Sequence, residues 1–275
     1  MTAGIQHDER MSGYAVHSRE RQLPDALRVI RVLGDRLHRA RRIVDLGCGT
    51  GALIDALAEA APFASVSGLD ASTPRIAALR ASRSEDARLM FAVHDLNEPL
   101  PVADASVDVV TMTAVLHWLH PHESAVIERI STALRHDGAA VLTTYHPPLE
   151  PCGLGGTDAV IAEAAGVTVR EFDGAGITPV SRRTLDTDAV ESILRQHFRR
   201  VDSTDHIART APADGAAFAD YVDSTFGDYY QPLFSCHAAQ RAAVITAAQR
   251  RLDATGSVTE MPVRTWLCGE PARPA

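Results

Sequence analysis

The segment Ile43-Val44-Asp45-Leu46-Gly47-Cys48-Gly49-Thr50-Gly51 constrains the fold more than any other part of the chain. Its first half is an apolar run of strand length, interrupted only by Asp45, and its second half sets a glycine at every other position. Leu53, Ile54, Leu57 and Ala58 then recur at helical spacing, so the sequence predicts a strand, a tight turn and a helix. Gly47, Gly49 and Gly51 leave the backbone bare where a ligand and the following helix must approach it. A nucleotide-like ligand is expected at this turn.

The residues around the turn narrow the ligand. A phosphate-binding Walker loop would end in Gly-Lys-Ser or Gly-Lys-Thr, and the turn contains no lysine. A dinucleotide fingerprint reads Gly-x-Gly-x-x-Gly, whereas here Asp45 precedes Gly-x-Gly-x-Gly. Residues 64–70 read as the second strand and end in Asp70, whose carboxylate is placed to accept both hydroxyl hydrogen bonds of a ribose. Ser72-Thr73-Pro74 starts the next helix with cap chemistry followed by proline. The third strand, Leu89 to Val93, runs into His94-Asp95-Leu96-Asn97, where Asp95 would meet an adenine amino group and Leu96 its apolar face. Val107 to Thr113 forms a fourth strand, a helix covers 122–135, and Ala139 to Tyr145 forms a fifth. This strand–helix rhythm predicts a doubly wound parallel sheet with right-handed crossovers.

The run Asp45-Leu46-Gly47-Cys48-Gly49-Thr50-Gly51 resembles the first motif of the class I S-adenosylmethionine-dependent methyltransferases. Tyr14, Arg21 and Pro24, with Ala114-Val115-Leu116-His117-Trp118, are similar to the small-molecule branch that includes the trans-aconitate methyltransferases and the malonyl-acyl-carrier methyltransferases of biotin synthesis. The resemblance implies an α/β fold: a Rossmann-like seven-stranded sheet with a helical substrate-lid insertion. It also implies that the last strand, Met261 to Gly269, inserts antiparallel between neighbours. The implied cofactor is S-adenosylmethionine, with Tyr14, Arg21, Asp45, Gly47, Cys48, Gly49, Gly51, Asp70, Ala71, Asp95, Leu96, Thr113, Ala114 and Trp118 around it. Tyr14 and Arg21 are then expected to close over its methionine end.

Four segments are expected: a helical cap at 1–40, a cofactor-binding core at 41–145, a lid or connecting excursion at 146–186, and the rest of the core at 187–275 with a helical insertion near 211–255. Pro24 is expected to separate two N-terminal helices, and residues 167–172 read as a short strand. Phe218, Tyr221, Phe226, Tyr229, Tyr230 and Phe234 concentrate rings in a chain that is only 5% aromatic. They read either as cover for an acceptor or as a helical core seam. The expected acceptor pocket takes Tyr14, His117, Trp118, His146, Phe226, Tyr229 and Tyr230.

A sulfonium methyl donor needs an aligned nucleophile and exclusion of water rather than a metal. His117 and His146, each just beyond a strand end, are the candidate bases. His120 and His122 lack an acidic third ligand at compact spacing, so no metal is expected. A formal charge of −8 disfavours nucleic acid as a partner. No apolar run reaches membrane-span length, and four scattered cysteines read as unpaired thiols, so a cytoplasmic location is expected. The aromatic run would permit a dimer, so a monomer or homodimer is the expected assembly. The expected reaction is methyl transfer to oxygen or carbon of a small organic acceptor such as a natural-product intermediate. An NAD-dependent oxidoreductase and a noncatalytic nucleotide-binding regulatory protein are the alternatives.

Overall fold

The computed structural model describes residues 14–272, and side chains from residue 24 onward within that range. Seven strands form one sheet: β1 (Arg42–Leu46), β2 (Ser65–Asp70), β3 (Leu89–Val93), β4 (Val107–Thr113), β5 (Leu134–Tyr145), β6 (Phe198–Thr210) and β7 (Thr259–Pro271). Their order is β3-β2-β1-β4-β5-β7-β6. The pairs β1–β2, β1–β4, β2–β3 and β4–β5 are parallel, as the strand–helix rhythm requires. β7 runs against its neighbour β6: Val258 N–H donates to Thr210 at one end and Ala272 N–H to His197 at the other. The last strand therefore lies between β5 and β6, as expected.

Eleven α-helices connect the strands within the described residues: α1 (Tyr14–Leu33), α2 (Asp35–Arg39), α3 (Ala52–Ala60), α4 (Thr73–Ser82), α5 (Glu123–Ala133), α6 (Thr157–Ala165), α7 (Val169–Gly174), α8 (Val180–Arg183), α9 (Thr187–His197), α10 (Gly215–Phe226) and α11 (His237–Thr255). Two expectations fail. Pro24 lies inside α1 instead of dividing it, so that helix continues where the ring removes one backbone donor. Residues 169–174 are a helix rather than a strand, because Thr168 and Glu171 form a reciprocal capping box at its start.

The chain divides into two compact units. The core unit comprises residues 22–144, 185–205 and 264–275. One face of its sheet packs Val44, Leu46, Val110 and Met112 against Val126, Ile127 and Ile130 of α5 and Leu194 of α9. The other face packs Ile43, Val66 and Val109 against Leu53, Ile54 and Leu57 of α3 and Val29 and Leu33 of α1. Strands covered on both faces must be apolar nearly throughout, which accounts for the run Ile43-Val44 and for Val107 to Met112. The helical unit takes residues 145–184 and 206–263 together with 14–21 of the described N-terminal part. Its centre holds Phe172, Phe218, Phe226 and Tyr230, all buried.

Candidate functional site

In the core unit the strand order reverses at β1, which has β2 on one side and β4 on the other. The crevice outside the carboxyl ends of parallel strands at such a point is where ligands bind in open α/β sheets. Asp45 sits near the end of β1, only 2% exposed, and accepts a hydrogen bond from Thr111 Oγ1 of β4 at 2.7 Å. Burial drives its pKa up to about 7, opposed by the Thr111 bond and reinforced by the neighbouring Asp70 charge.

The glycine turn follows. Gly47 and Cys48 N–H both donate to Leu69 O, at 2.7 and 3.0 Å, and tie the turn to the end of β2. Gly49 N–H donates to Asp70 Oδ2 at 2.9 Å, while Ser72 N–H donates to Asp70 Oδ1 at 2.8 Å. Asp70 therefore anchors two loops, a role its spacing from Gly51 did not suggest. Each carboxylate oxygen still has acceptor capacity for a ligand hydroxyl.

The glycines are needed against protein as well as ligand. Gly47 adopts φ +69°, and a Cβ there would lie 2.3 Å from Val115 Cγ2. Gly51 adopts φ +80°, and a Cβ would meet Leu79 Cδ2 at 2.7 Å. Val115 belongs to the turn after β4, where Ala114 takes φ +59° and donates its N–H to Thr143 Oγ1 of β5 at 3.0 Å. The Cys48 side chain is buried and packs toward Gly68, with its thiol pKa pushed well up by desolvation.

The other expected cofactor residues of this unit lie at the same strand ends. Ala71 is exposed just after β2, and Thr113 is the last residue of β4. Asp95 is exposed after β3 and its Oδ1 accepts from Asn97 N and Nδ2, both at 2.9 Å. Leu96 is buried. Two buried polar atoms of this loop, His94 Nε2 and Asn97 Oδ1, have no hydrogen-bond partner. His117 and Trp118 occupy a 3-10 turn at Leu116–Trp118, partly buried, with ring centroids 4.9 Å apart. His120 Nδ1 pairs with the buried Glu123 at 2.8 Å. No group of three or more metal-ligating side chains exists among the described residues.

The helical unit holds the remaining candidates. His146 N–H donates to Pro262 O at 2.8 Å. Phe226 and Tyr230 are interior, with ring centroids 5.1 Å apart. Tyr230 OH donates to Asp158 Oδ1 at 2.8 Å, and Ser181 N–H donates to Asp158 Oδ2 at the same distance. Desolvation raises the pKa of that buried carboxyl despite these bonds. Tyr229 is half-buried, and its hydroxyl receives Arg183 Nη2 at 2.8 Å. Burial pushes the Tyr229 hydroxyl up to about 12. The Tyr14 and Arg21 side chains lie outside the described residues.

Sequence reasoning missed Thr111 and Thr143, and read Ser72 only as the start of a helix and Val115 only within a resembling segment. Each reaches the site from another strand or turn, and no local periodicity marks it.

The sheet order with β7 between β5 and β6, joined to this turn, is that of the Rossmann-like class I methyltransferase fold. Residues 43–138 match the family model described as a methyltransferase domain. The trans-aconitate 2-methyltransferase of Mycobacterium tuberculosis is 42% identical over 91 residues, which are 33% of this chain and 32% of that protein. The chain thus spans about a third of that relative's length. The trans-aconitate 2-methyltransferase of Paracidovorax citrulli is 28% identical over 219 residues, 79% of this chain and 80% of that protein. In structure, the Haemonchus contortus phosphoethanolamine N-methyltransferase 2 with bound S-adenosylhomocysteine gives a TM-score of 0.53 at 17% identity, covering 89% of this chain and 53% of that one. In sequence the chain is thus similar to these two trans-aconitate 2-methyltransferases, more strongly over a third of its length and more weakly over most of it.

Proposed function

We propose that the protein transfers a methyl group from S-adenosylmethionine to an oxygen or carbon of a small organic acceptor, such as a natural-product intermediate, in the cytoplasm. The observation that carries this reading is the glycine turn held at the end of β1 by Asp70, within the segment that matches a methyltransferase domain. The residues fit the cofactor: Asp70 keeps acceptor capacity for ribose hydroxyls, and the unpartnered His94 Nε2 and Asn97 Oδ1 flank Asp95 where an adenine edge would need polar partners. The turn lacks the lysine that polyphosphate binding calls for, which favours an adenosine ligand without phosphates.

Bound there, S-adenosylmethionine supplies an electrophilic methyl carbon on sulfur. Asp45, Asp70, Asp95 and Leu96 would hold and orient it, and Ala114 and Trp118 would complete the wall beyond β4. An imidazole nitrogen of His117 takes the proton that the acceptor loses, and the adjacent Trp118 ring restricts where that imidazole can turn. His146 is the second candidate base. In the helical unit Tyr229 is half-buried with Arg183 over its ring, while Phe226 and Tyr230 are buried.

Calorimetry with S-adenosylmethionine and with NAD is the first test. Binding of the former alone supports the reading; binding of NAD alone with hydride transfer establishes an oxidoreductase. A radiolabelled methyl-transfer assay follows, on a panel that includes trans-aconitate, the substrate named for the relatives. Cofactor binding with no transfer to any acceptor would leave a nucleotide-binding regulatory protein.

A further inference from the structure

The glycine turn is fastened on its inner side by Leu69 O and Asp70. Its exit, Thr50-Gly51, opens directly into α3. Over that exit lies Arg83, the residue that ends α4. Its Nε and Nη2 form a two-pronged pair with Asp55, at 2.7 and 2.8 Å, and Nη2 also reaches Thr50 O at 3.5 Å. Asp55 stands in the first turn of α3, and its own N–H donates to Gly51 O at 3.0 Å. The guanidinium lies close above Gly51: a Cβ added there would be 3.2 Å from Arg83 Nη2.

Bare glycine backbone has the widest conformational freedom of any residue, so a binding turn built from it must be held from outside. The Arg83 side chain is 15% exposed and that of Asp55 35%, which makes this pair less accessible to water than an ordinary surface ion pair. The planar fork also fixes orientation, which a lysine ammonium at the same point would not. We infer that Arg83, through Asp55 and the Thr50 carbonyl, is a positioning residue that holds the exit of the glycine turn in its ligand-binding shape. It touches neither acceptor nor reacting methyl group. Its role rests on the proposed cofactor reading, but its effect on the turn does not.

The experiment compares wild type with Arg83→Met, Arg83→Lys, Asp55→Asn and the exchanged pair Arg83→Asp/Asp55→Arg. Hydrogen exchange over residues 49–56 without ligand reads the turn, calorimetry reads S-adenosylmethionine affinity, and kinetics separate KM from kcat. Arg83→Met should speed exchange in that segment and weaken binding about tenfold, with kcat at saturation unchanged. Arg83→Lys should fall between wild type and Arg83→Met, and the exchanged pair should recover part of the affinity. A lower melting temperature with unchanged exchange and affinity would overturn the inference and leave a merely structural ion pair. Equal losses in kcat and kcat/KM would overturn it as well. Should wild type bind no S-adenosylmethionine, the cofactor reading falls, and local exchange alone decides what Arg83 does for the turn. If Arg83→Met does not fold, Arg83→Lys carries the same comparison.

Discussion

Asp45 binds its proton more tightly in the folded chain than in the unfolded one. Its pKa stands at about 7 against an ordinary 3.8, chiefly because it is buried. A folded-state value above the unfolded value means that its contribution to stability is fully present below about pH 4 and is lost as the pH rises through about 7. Asp45→Asn, which keeps an acceptor for Thr111, should therefore flatten the fall in melting temperature between roughly pH 4 and 8. An unchanged slope in thermal denaturation would remove Asp45 as its source. Asp70 and His117 should divide their duties. Asp70→Ala strands the Gly49 and Ser72 N–H groups and is expected to weaken S-adenosylmethionine binding by about tenfold or more. His117→Ala should slow transfer by about a hundredfold with a smaller change in binding. Equal binding losses in the two variants, by calorimetry, would sink that division.

Among elements, the strand–turn–helix unit of β1 and α3 illustrates what a contiguous stretch can disclose. Its apolar run, alternate glycines and helical spacing are local, so strand, turn and helix were all legible. What the turn rests against was not, because Val115 reaches Gly47 from beyond β4. Gly47→Ala is expected to weaken cofactor binding through that clash and through a left-handed φ that costs about 1–2 kcal/mol. Adding Val115→Ala should restore part of the affinity by relieving the clash alone; no recovery in titrations would make backbone strain the whole effect. The misread segment at 167–172 shows the opposite case. It reads as a short strand, yet Thr168 and Glu171 within it carry the start signal of a helix. In the helical unit, the aromatic run read equally as pocket or seam. Phe226 and Tyr230 are interior; Asp158, distant in sequence and itself held by Ser181 N–H, supplies the polar contact that lets the Tyr230 hydroxyl be buried there.

For the whole molecule, a formal charge of −8 argues against polyanionic partners, and no described helix is long and apolar enough to cross a membrane. Fluorescence anisotropy with labelled single- and double-stranded DNA and RNA at about 0.15 M salt should show no binding. Salt-sensitive micromolar binding would contradict that expectation. The glycine turn could be read from one stretch, whereas the helical unit is assembled from separate pieces whose association no short window records. Those pieces meet the core unit's sequence at 21/22, 144/145, 184/185, 205/206 and 263/264; one of these junctions falls inside α1 and three fall inside β5, β6 and β7. For protein engineering this has a practical meaning. A chimera that borrows another enzyme's helical unit could not be made by one cassette between convenient loops; it would need splices within strands, each preserving register to the residue.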